Sequence, residues 1–215
     1  AAARRFGAIT VATGTFLAVA RGMKEGVKDA IEWERELVRI SQVTGKTVKQ
    51  LRGLSKEVRG LATDWGVSSK EILNAARVLS QAGFAADKVS KALKILAQTD
   101  LGATFGSIAD TTEGAIAMLR QFGREAQDVG GDIKFLEQSL GAINAVSKAF
   151  AVEASDLITV IRRTGGVFEA SGGKINELIA LFTSVRGTTR ETAETIATGF
   201  RTIFTRIQRP KTIQF

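Results

Sequence analysis

Residues 66–84 read GVSSKEILNAARVLSQAGF, and this short stretch carries the signals of one complete helix. Ser68 or Ser69 can cap its first turn, where a glutamate complements the positive end of the helix dipole. Apolar residues recur at spacings of three and four, which predicts one buried face, and Gly83 predicts the end of the helix. The predicted buried face consists of Ile72, Ala75, Ala76, Leu79 and Ala82.

A second stretch of the same design, AVEASDLITVIRRTGGVFEAS, occupies residues 151–171. Each stretch is followed by an apolar helix that can fold back on it, so the sequence predicts two related hairpins, at residues 67–101 and 152–187. The first helices align at an offset of 85 residues and the returning helices at 86, which is consistent with an internal duplication. The remaining predicted buried positions of the hairpins are Leu157, Val160, Ile161, Thr164, Phe168, Val89, Leu93, Leu96, Ile175, Ile179, Phe182 and Val185.

The rest of the chain continues this pattern, and no run alternates as a strand would, so the predicted fold class is all-α, with successive helical hairpins and glycine-containing turns. We divide the chain into a small-residue apolar helix (1–23), long amphipathic helices (24–66) and a helical region (67–215) that contains both hairpins. We expect turns at Gly165–Gly166, Gly172–Gly173 and Arg186–Gly187, and a cap for the last helix at Thr188 or Thr189. Further predicted apolar faces are Val27/Ile31/Val38, Ile133/Leu136/Leu140/Ile143/Phe150 and Ile196/Phe200/Ile203/Phe204/Ile207.

The composition restricts the chemistry that this chain can perform. Histidine, cysteine and tyrosine are all absent from its 215 residues. Their absence excludes nucleophilic sites built on His or Cys and zinc sites built on Cys and His. We therefore predict that the protein is not an enzyme and that it has no metal site and no cofactor. The formal net charge of +8 favours an anionic partner.

Two stretches look like catalytic motifs but have plainer explanations. TGKT at residues 44–47 is similar to the end of a Walker A loop, but Ile40 stands where that loop needs glycine, and the preceding residues read as helix. Glu32, Glu34 and Glu36 form the densest set of carboxylates, but they alternate with arginines around a charged helix. That arrangement is typical of a solvated face.

One charge pattern, made of basic residues, is a candidate for a functional surface. Lys49, Arg52, Lys56 and Arg59 recur at spacings of three and four on one predicted helix, and we call these four residues the basic stripe. The chain's end adds Arg201, Arg206 and Arg209 without an acidic residue among them. Two interpretations stay open: a solvated face, or contact with an anionic surface such as an acidic protein wall. Aromatic residues for base stacking are missing from the stripe, so we expect no specific nucleic-acid binding.

Two apolar seams are wider than one antiparallel neighbour usually covers. The first seam predicts a helix over residues 46–65. From both seams we predict that the chain associates with copies of itself. The residues expected to form these contacts are Leu51, Leu54, Val58 and Leu61 in the first seam, and Phe200, Ile203, Phe204 and Ile207 in the second.

Over residues 25–210 the chain resembles the phage tail tape measure proteins. The resemblance rests on WERELVRISQVTG, ATDWGVSSKEILNAARVLSQAGF, GAINAVSKAFAVEASDLITVIRRTGGVFEASGGKINELIALFTSVRG and TAETIATGFRTIFTRI, in that order. Each segment alone is an ordinary small-residue helix, and the order of the segments is the more specific signal.

The resemblance implies a helical virion protein inside the tail tube or tail tip, present in the host cytoplasm during assembly. Such a protein sets tail length, templates tube assembly and is released before DNA ejection. The implied partners are tail tube and tail tip proteins, tail assembly chaperones, and further copies of the protein itself, three or six per tail. Contact with a membrane during ejection is also implied. The family carries no catalytic motif in this region.

Two other classes of protein remain as alternatives. The first is a membrane-active helical translocator or pore protein, for which the apolar residues 6–20 would insert, although this run is shorter than a bilayer span. The second is a basic helical nucleic-acid-binding domain, which the net charge suggests. Vesicle partitioning would test the first alternative, and the salt dependence of DNA binding would test the second.

Overall fold

The computed structural model describes residues 24, 26–100 and 105–208. The predicted helix at residues 1–23 and the prediction for Arg209 lie outside these residues. Among the described residues the fold is all-α, as predicted, and no strand occurs. The helices of this part of the chain are α1 (26–44), α2 (Arg52–Trp65), α3 (Ser69–Gln81), α4 (Ala86–Asp100), α5 (Ile108–Gln121), α6 (Gly123–Asp128), α7 (Asp132–Ala149), α8 (Ala154–Ala170), α9 (Ile175–Thr189) and α10 (Ala193–Ile207).

The α3–α4 hairpin follows the signals of its sequence. The hydroxyl oxygen of Ser68 accepts a hydrogen bond from the backbone N–H of Glu71 at 3.5 Å, which caps α3. The apolar positions predicted for α3 are buried apart from Ala82, which is half-buried. Gly83 has φ of +92°, a conformation that favours glycine and ends the helix.

Helix α8 corrects the prediction of a turn at Gly165–Gly166, because both glycines lie inside the helix. A Cβ atom on Gly165 would lie 2.2 Å from Oε1 of Gln121 and 2.8 Å from Cε2 of Phe122. Gly165 therefore permits α5 to approach α8 closely, and the chain turns only at Ser171–Gly172, where Gly172 has φ of +86°. The five positions predicted to be buried in α8 are all buried.

Helix α8 lies at the centre of the bundle and packs against α5, α7, α9 and α10. Helix α5 lies between the two hairpins and contacts both α3 and α8. A continuous apolar core joins all of these helices, and the side chains of Phe105, Phe122, Phe135 and Phe182 are fully buried in it. The hairpins are thus parts of one packed bundle.

Residues 85 positions apart occupy similar environments in the two hairpins. In α3 and α8 the pairs Leu73/Ile158 and Ser80/Gly165 are buried at both places. The correspondence extends to the next helix, because Ser107 caps α5 and Thr192 caps α10 at the same offset. An origin of the two halves by duplication stays a prediction.

Helices α1 and α2 depart from the predicted faces. Helix α1 buries Leu37 and Ile40, whereas Val27, Ile31 and Val38, predicted to share its apolar side, are exposed. Both apolar sets recur at helical spacing, so the pattern alone could not show which set would meet the core. Helix α2 begins at Arg52, whereas the sequence predicted a start at residue 46, because residues 47–51 form turns.

The later helices bring further corrections. Helix α9 continues through the predicted Arg186–Gly187 turn, and Thr192 caps α10 instead of Thr188 or Thr189. Ile203 and Ile207 are about half exposed on α10, at 53% and 51%, although the pattern predicted them inside. In α7, Leu136, Leu140 and Ile143 are buried as predicted and Ile133 is half-buried, whereas Phe150 is 58% exposed beyond the helix end.

Candidate partner-contact surfaces

The basic stripe forms an exposed surface at the start of α2. Arg52, Lys56 and Arg59 follow one face of the helix at intervals of four and three, and Lys49 lies in the turn before it. All four side chains are exposed, and none of them forms an ion pair within the part of the chain that the structure describes. The four positive charges therefore lie on one surface without a described carboxylate paired to them.

Two contacts at the basic stripe join α2 to neighbouring helices. The guanidinium carbon of Arg59 lies 4.9 Å from the ring centroid of Trp33 in α1, a cation–π contact that joins α2 to α1. The carboxylate of Glu57, the acidic residue inside the stripe's span, accepts a hydrogen bond from the hydroxyl of Ser90 in α4. Glu57 is thus directed toward α4.

A second basic surface lies between α8 and α10. Arg163, Arg201 and Arg206 line a shallow groove of about 400 Å³, and all three side chains are exposed. The sequence singled out Arg201 and Arg206 but not Arg163. Arg163 joins them because α8 and α10 pack side by side, a contact between residues distant in the chain.

The first predicted self-association seam is mostly used inside the protomer. Leu51, Val58 and Leu61 are buried in the core of the single chain, and Leu54 is half-buried against it. The structure corrects this part of the prediction: α2 packs against both α3 and α4, and two neighbours cover a seam too wide for one.

The second seam is divided between the core and solvent. The rings of Phe204 and Phe168 are 4.8 Å apart in an edge-to-face contact, and Phe200 is also half-buried against the core. Ile203 and Ile207 extend beyond this contact on the outer side of α10. Self-association through α10 stays a prediction.

A third surface, an apolar groove between α7 and α9, was missed by sequence reasoning. The groove has a volume of about 730 Å³ and is lined largely by small residues, with the exposed ring of Phe150 beside it. Its signal in the sequence is the high content of alanine, serine, threonine and glycine on the facing sides of these helices. Phe150 was predicted to be buried, so the sequence offered no separate sign of an open surface.

The titratable groups with perturbed pKa values belong to ion pairs between helices. Burial raises the pKa of Asp156 in α8, and this effect outweighs the opposing influence of Arg186, whose Nη2 lies 3.5 Å from Asp156 Oδ2. The hydrogen bond from Lys70 lowers the pKa of Glu32 and joins α3 to α1. The hydrogen bond to Asp132 raises the pKa of Lys88 and joins α4 to α7. These groups act as links between helices.

No cluster of three or more acidic side chains within the described ranges could hold a metal ion. In the same ranges, none of the helices combines the length and the apolar character that a membrane crossing requires. The candidate surfaces of the described chain are thus the basic stripe, the basic groove between α8 and α10, and the apolar groove between α7 and α9.

The comparison with known families identifies the group of structural proteins concerned. Residues 55–214 match the family model of the phage-related minor tail protein. The match covers well over half of the chain, so the protein belongs to this family and is a structural component of a phage tail, where it contacts other tail proteins. No solved structure matches the chain.

Proposed function

We propose that this chain is the helical core region of a tail tape measure protein. In this role it acts inside the tail tube or tail tip, sets tail length, templates tube assembly and leaves before DNA is ejected. The observation that carries the proposal is the basic stripe: a protein of a phage tail family exposes four positive side chains that have no ion-pair partner in the described chain.

The sign of this charge suits a temporary occupant of a tail tube. A tube that later passes DNA benefits from a negative lumen, since such a surface repels phosphate. An occupant of that lumen is then favoured by positive charge. One exposed pair contributes only about 0–1 kcal/mol and is weakened by salt, so four such pairs per copy hold the protein without fixing it permanently.

The fold limits how this region could act. Its helices form a bundle with many contacts between distant residues, so the described region is far shorter than one continuous helix of the same length would be. We therefore propose that it anchors or organises the protein at the tail tip or along the tube. The linear ruler is assigned to other parts of the protein.

The first experiment examines phage particles made with and without the complete gene by electron microscopy. A tape measure protein predicts that its loss abolishes tails or leaves them without a uniform length. Tails of normal number and length, lacking only infectivity, would contradict the proposal and would leave a minor tail protein of another kind.

The second experiment tests the basic stripe. Replacing Lys49, Arg52, Lys56 and Arg59 by Glu should reduce tail assembly or yield tails that lack this protein, with helicity by circular dichroism unchanged. The matched control replaces four exposed lysines elsewhere by Glu, so that both variants lose the same eight units of the +8 net charge. The control residues are Lys91, Lys94, Lys134 and Lys148. Equal effects of the two variants would mean that the stripe is only a solvated face.

A further inference from the structure

The basic groove lies between two helices, α8 and α10, that run side by side in the same direction. The hydroxyl of Thr164 in α8 donates to the backbone oxygen of Ala197 in α10 at 3.1 Å. Further along the pair, the side-chain amide of Gln208 donates to the backbone oxygen of Val167 at 2.7 Å. These two bonds hold the helices together along the line that the groove follows.

Arginines from both helices line this groove. Arg163 of α8 and Arg201 of α10 belong to its walls. A neighbouring pocket of about 350 Å³ is also lined by Arg163, together with Arg162, Thr159 and Glu194. Because Arg163 lines both, the basic groove continues into this pocket.

The three arginines Arg162, Arg163 and Arg201 have positive charges that are free to meet a partner. Their side chains are exposed, and their guanidinium groups form neither a hydrogen bond nor an ion pair within the described chain. Arg206 lines the same groove but already has an interaction within the chain, so its charge is not counted among them. Three unpaired positive charges therefore stand against one carboxylate of the lining, that of Glu194. Other arginines of the described chain do pair with carboxylates, namely Arg39, Arg77, Arg124 and Arg186.

Apart from these charges, the groove offers hydroxyl groups and little apolar surface. Its remaining lining residues are Thr159, Ala197, Thr198, Thr202 and Thr205. The hydroxyls of Thr198 and Thr202 donate to carbonyl oxygens of α10, whereas those of Thr159 and Thr205 have no hydrogen bond within the described chain. A bound protein would need large apolar anchors at the centre of its contact, and this lining provides none. Arginine and threonine side chains are, in contrast, groups that bind the phosphate oxygens of nucleic acid.

We propose that the basic groove binds the phosphate backbone of duplex DNA without reading its sequence. A backbone that lies along the groove meets Arg162 and Arg163 on one wall and Arg201 on the other. No aromatic side chain lines the groove, and single strands are usually held by bases stacked on such side chains, so the lining favours a duplex. In a phage tail the available duplex is the DNA genome. This surface is separate from the basic stripe, which lies on α2 and the turn before it.

The experiment measures binding of the chain of residues 1–215 to a short fluorescently labelled DNA duplex by fluorescence anisotropy at several salt concentrations. The groove variant replaces Arg162, Arg163 and Arg201 by Gln. The matched control variant replaces three exposed lysines elsewhere by Gln, so that both variants lose the same positive charge. The control residues are Lys91, Lys94 and Lys134. Circular dichroism of each variant verifies that the bundle is intact.

We expect two duplexes of unrelated sequence to bind equally well, with an affinity that falls steeply as salt is added. Each lost phosphate contact reduces the slope of log K against log salt by about 0.9, so the groove variant should have a slope shallower by up to about 3. Its affinity near 0.1 M salt should fall by more than about tenfold, whereas the slope of the control variant should stay within about 1 of the wild-type slope. Glu194→Gln should tighten binding, because it removes the carboxylate that repels phosphate in the groove.

Three results would overturn the proposal. The first is an absence of saturable binding of the duplex at low salt. The second is an equal loss of binding in the control variant, or in a variant that replaces the basic stripe, which would indicate a general charge effect. The third is displacement of the duplex by polyglutamate at equal charge concentration, since an acidic protein would then be the better partner. The proposal does not depend on the tape measure role, because binding is measured with purified components.

Discussion

Replacing Gly165 by Ala tests the close approach of α5 to α8. In an isolated helix this change stabilises by about 1 kcal/mol. In this fold the new Cβ would lie 2.8 Å from Cε2 of Phe122, a fully buried ring, and 2.2 Å from Oε1 of Gln121. Gln121 can rotate away, but it then loses the 3.0 Å hydrogen bond that its Nε2 donates to Arg162, a loss of about 1 kcal/mol.

The steric term decides the sign of the effect. Overpacking of a well-packed core costs about 1–3 kcal/mol, so together with the lost hydrogen bond it exceeds the gain in helix propensity. We expect Gly165→Ala to lower the free energy of unfolding by about 1–3 kcal/mol. The neighbouring Gly166 is the matched control, because a Cβ there would lie 3.8 Å from Cγ of Gln121, an ordinary contact. Gly166→Ala should raise the free energy of unfolding by about 1 kcal/mol.

The assay is urea denaturation followed by circular dichroism, with the slope of the transition compared to verify that the unfolded states are equivalent. Opposite signs for the two adjacent alanines would support the close contact between α5 and α8. If both alanines stabilise the protein equally, the two helices do not approach each other at Gly165, and the reasoning fails.

Three further predictions concern individual contacts. Thr164→Val should lower the free energy of unfolding by about 1 kcal/mol, because the buried Thr164 hydroxyl donates to the Ala197 oxygen at 3.1 Å; no change in denaturation would show that this bond contributes nothing. Burial raises the pKa of Asp156, so its ionisation in the folded state opposes folding. The wild type should therefore gain stability relative to Asp156→Asn as pH falls from neutral, through the raised pKa, toward the usual value of 3.8. Urea denaturation at several pH values measures this difference, and a relative loss of stability at low pH would contradict the account. Arg77→Leu should destabilise more than Lys70→Leu in thermal melts, because the side chain of Arg77 is 23% exposed and that of Lys70 is 69% exposed; the reverse order would contradict this account.

Local signals in the sequence were sufficient to predict where α3 begins and ends. Ser68 caps the first turn of α3 and Gly83 follows its end, as predicted, because capping and positive φ depend on residues close in the chain. The exposure of the basic stripe is likewise a local property of charged side chains, although its role as a contact surface is a proposal.

The candidate surfaces formed by distant residues could not be read in this way. Arg163 meets Arg201 only because α8 and α10 pack together, and the groove between α7 and α9 exists only between two helices. The first seam illustrates the same limit. Its width was visible in the sequence, but the sequence did not show that α3 and α4 would both cover it. An apolar stripe predicts that something will pack on it, and the identity of the neighbour depends on the whole fold.

By itself the sequence determined the all-α class, the repeated hairpin pattern and the absence of His and Cys chemistry, because these follow from residue type and spacing along the chain. Only the tertiary structure decided which apolar stripes become core. Val27 and Ile31 on α1, and Ile203 and Ile207 on α10, have the periodicity of buried residues but lie exposed, because no helix within the described chain covers them. Gly165 shows the opposite case, since a residue that locally favours a turn stays helical where a second helix needs the space of a missing side chain.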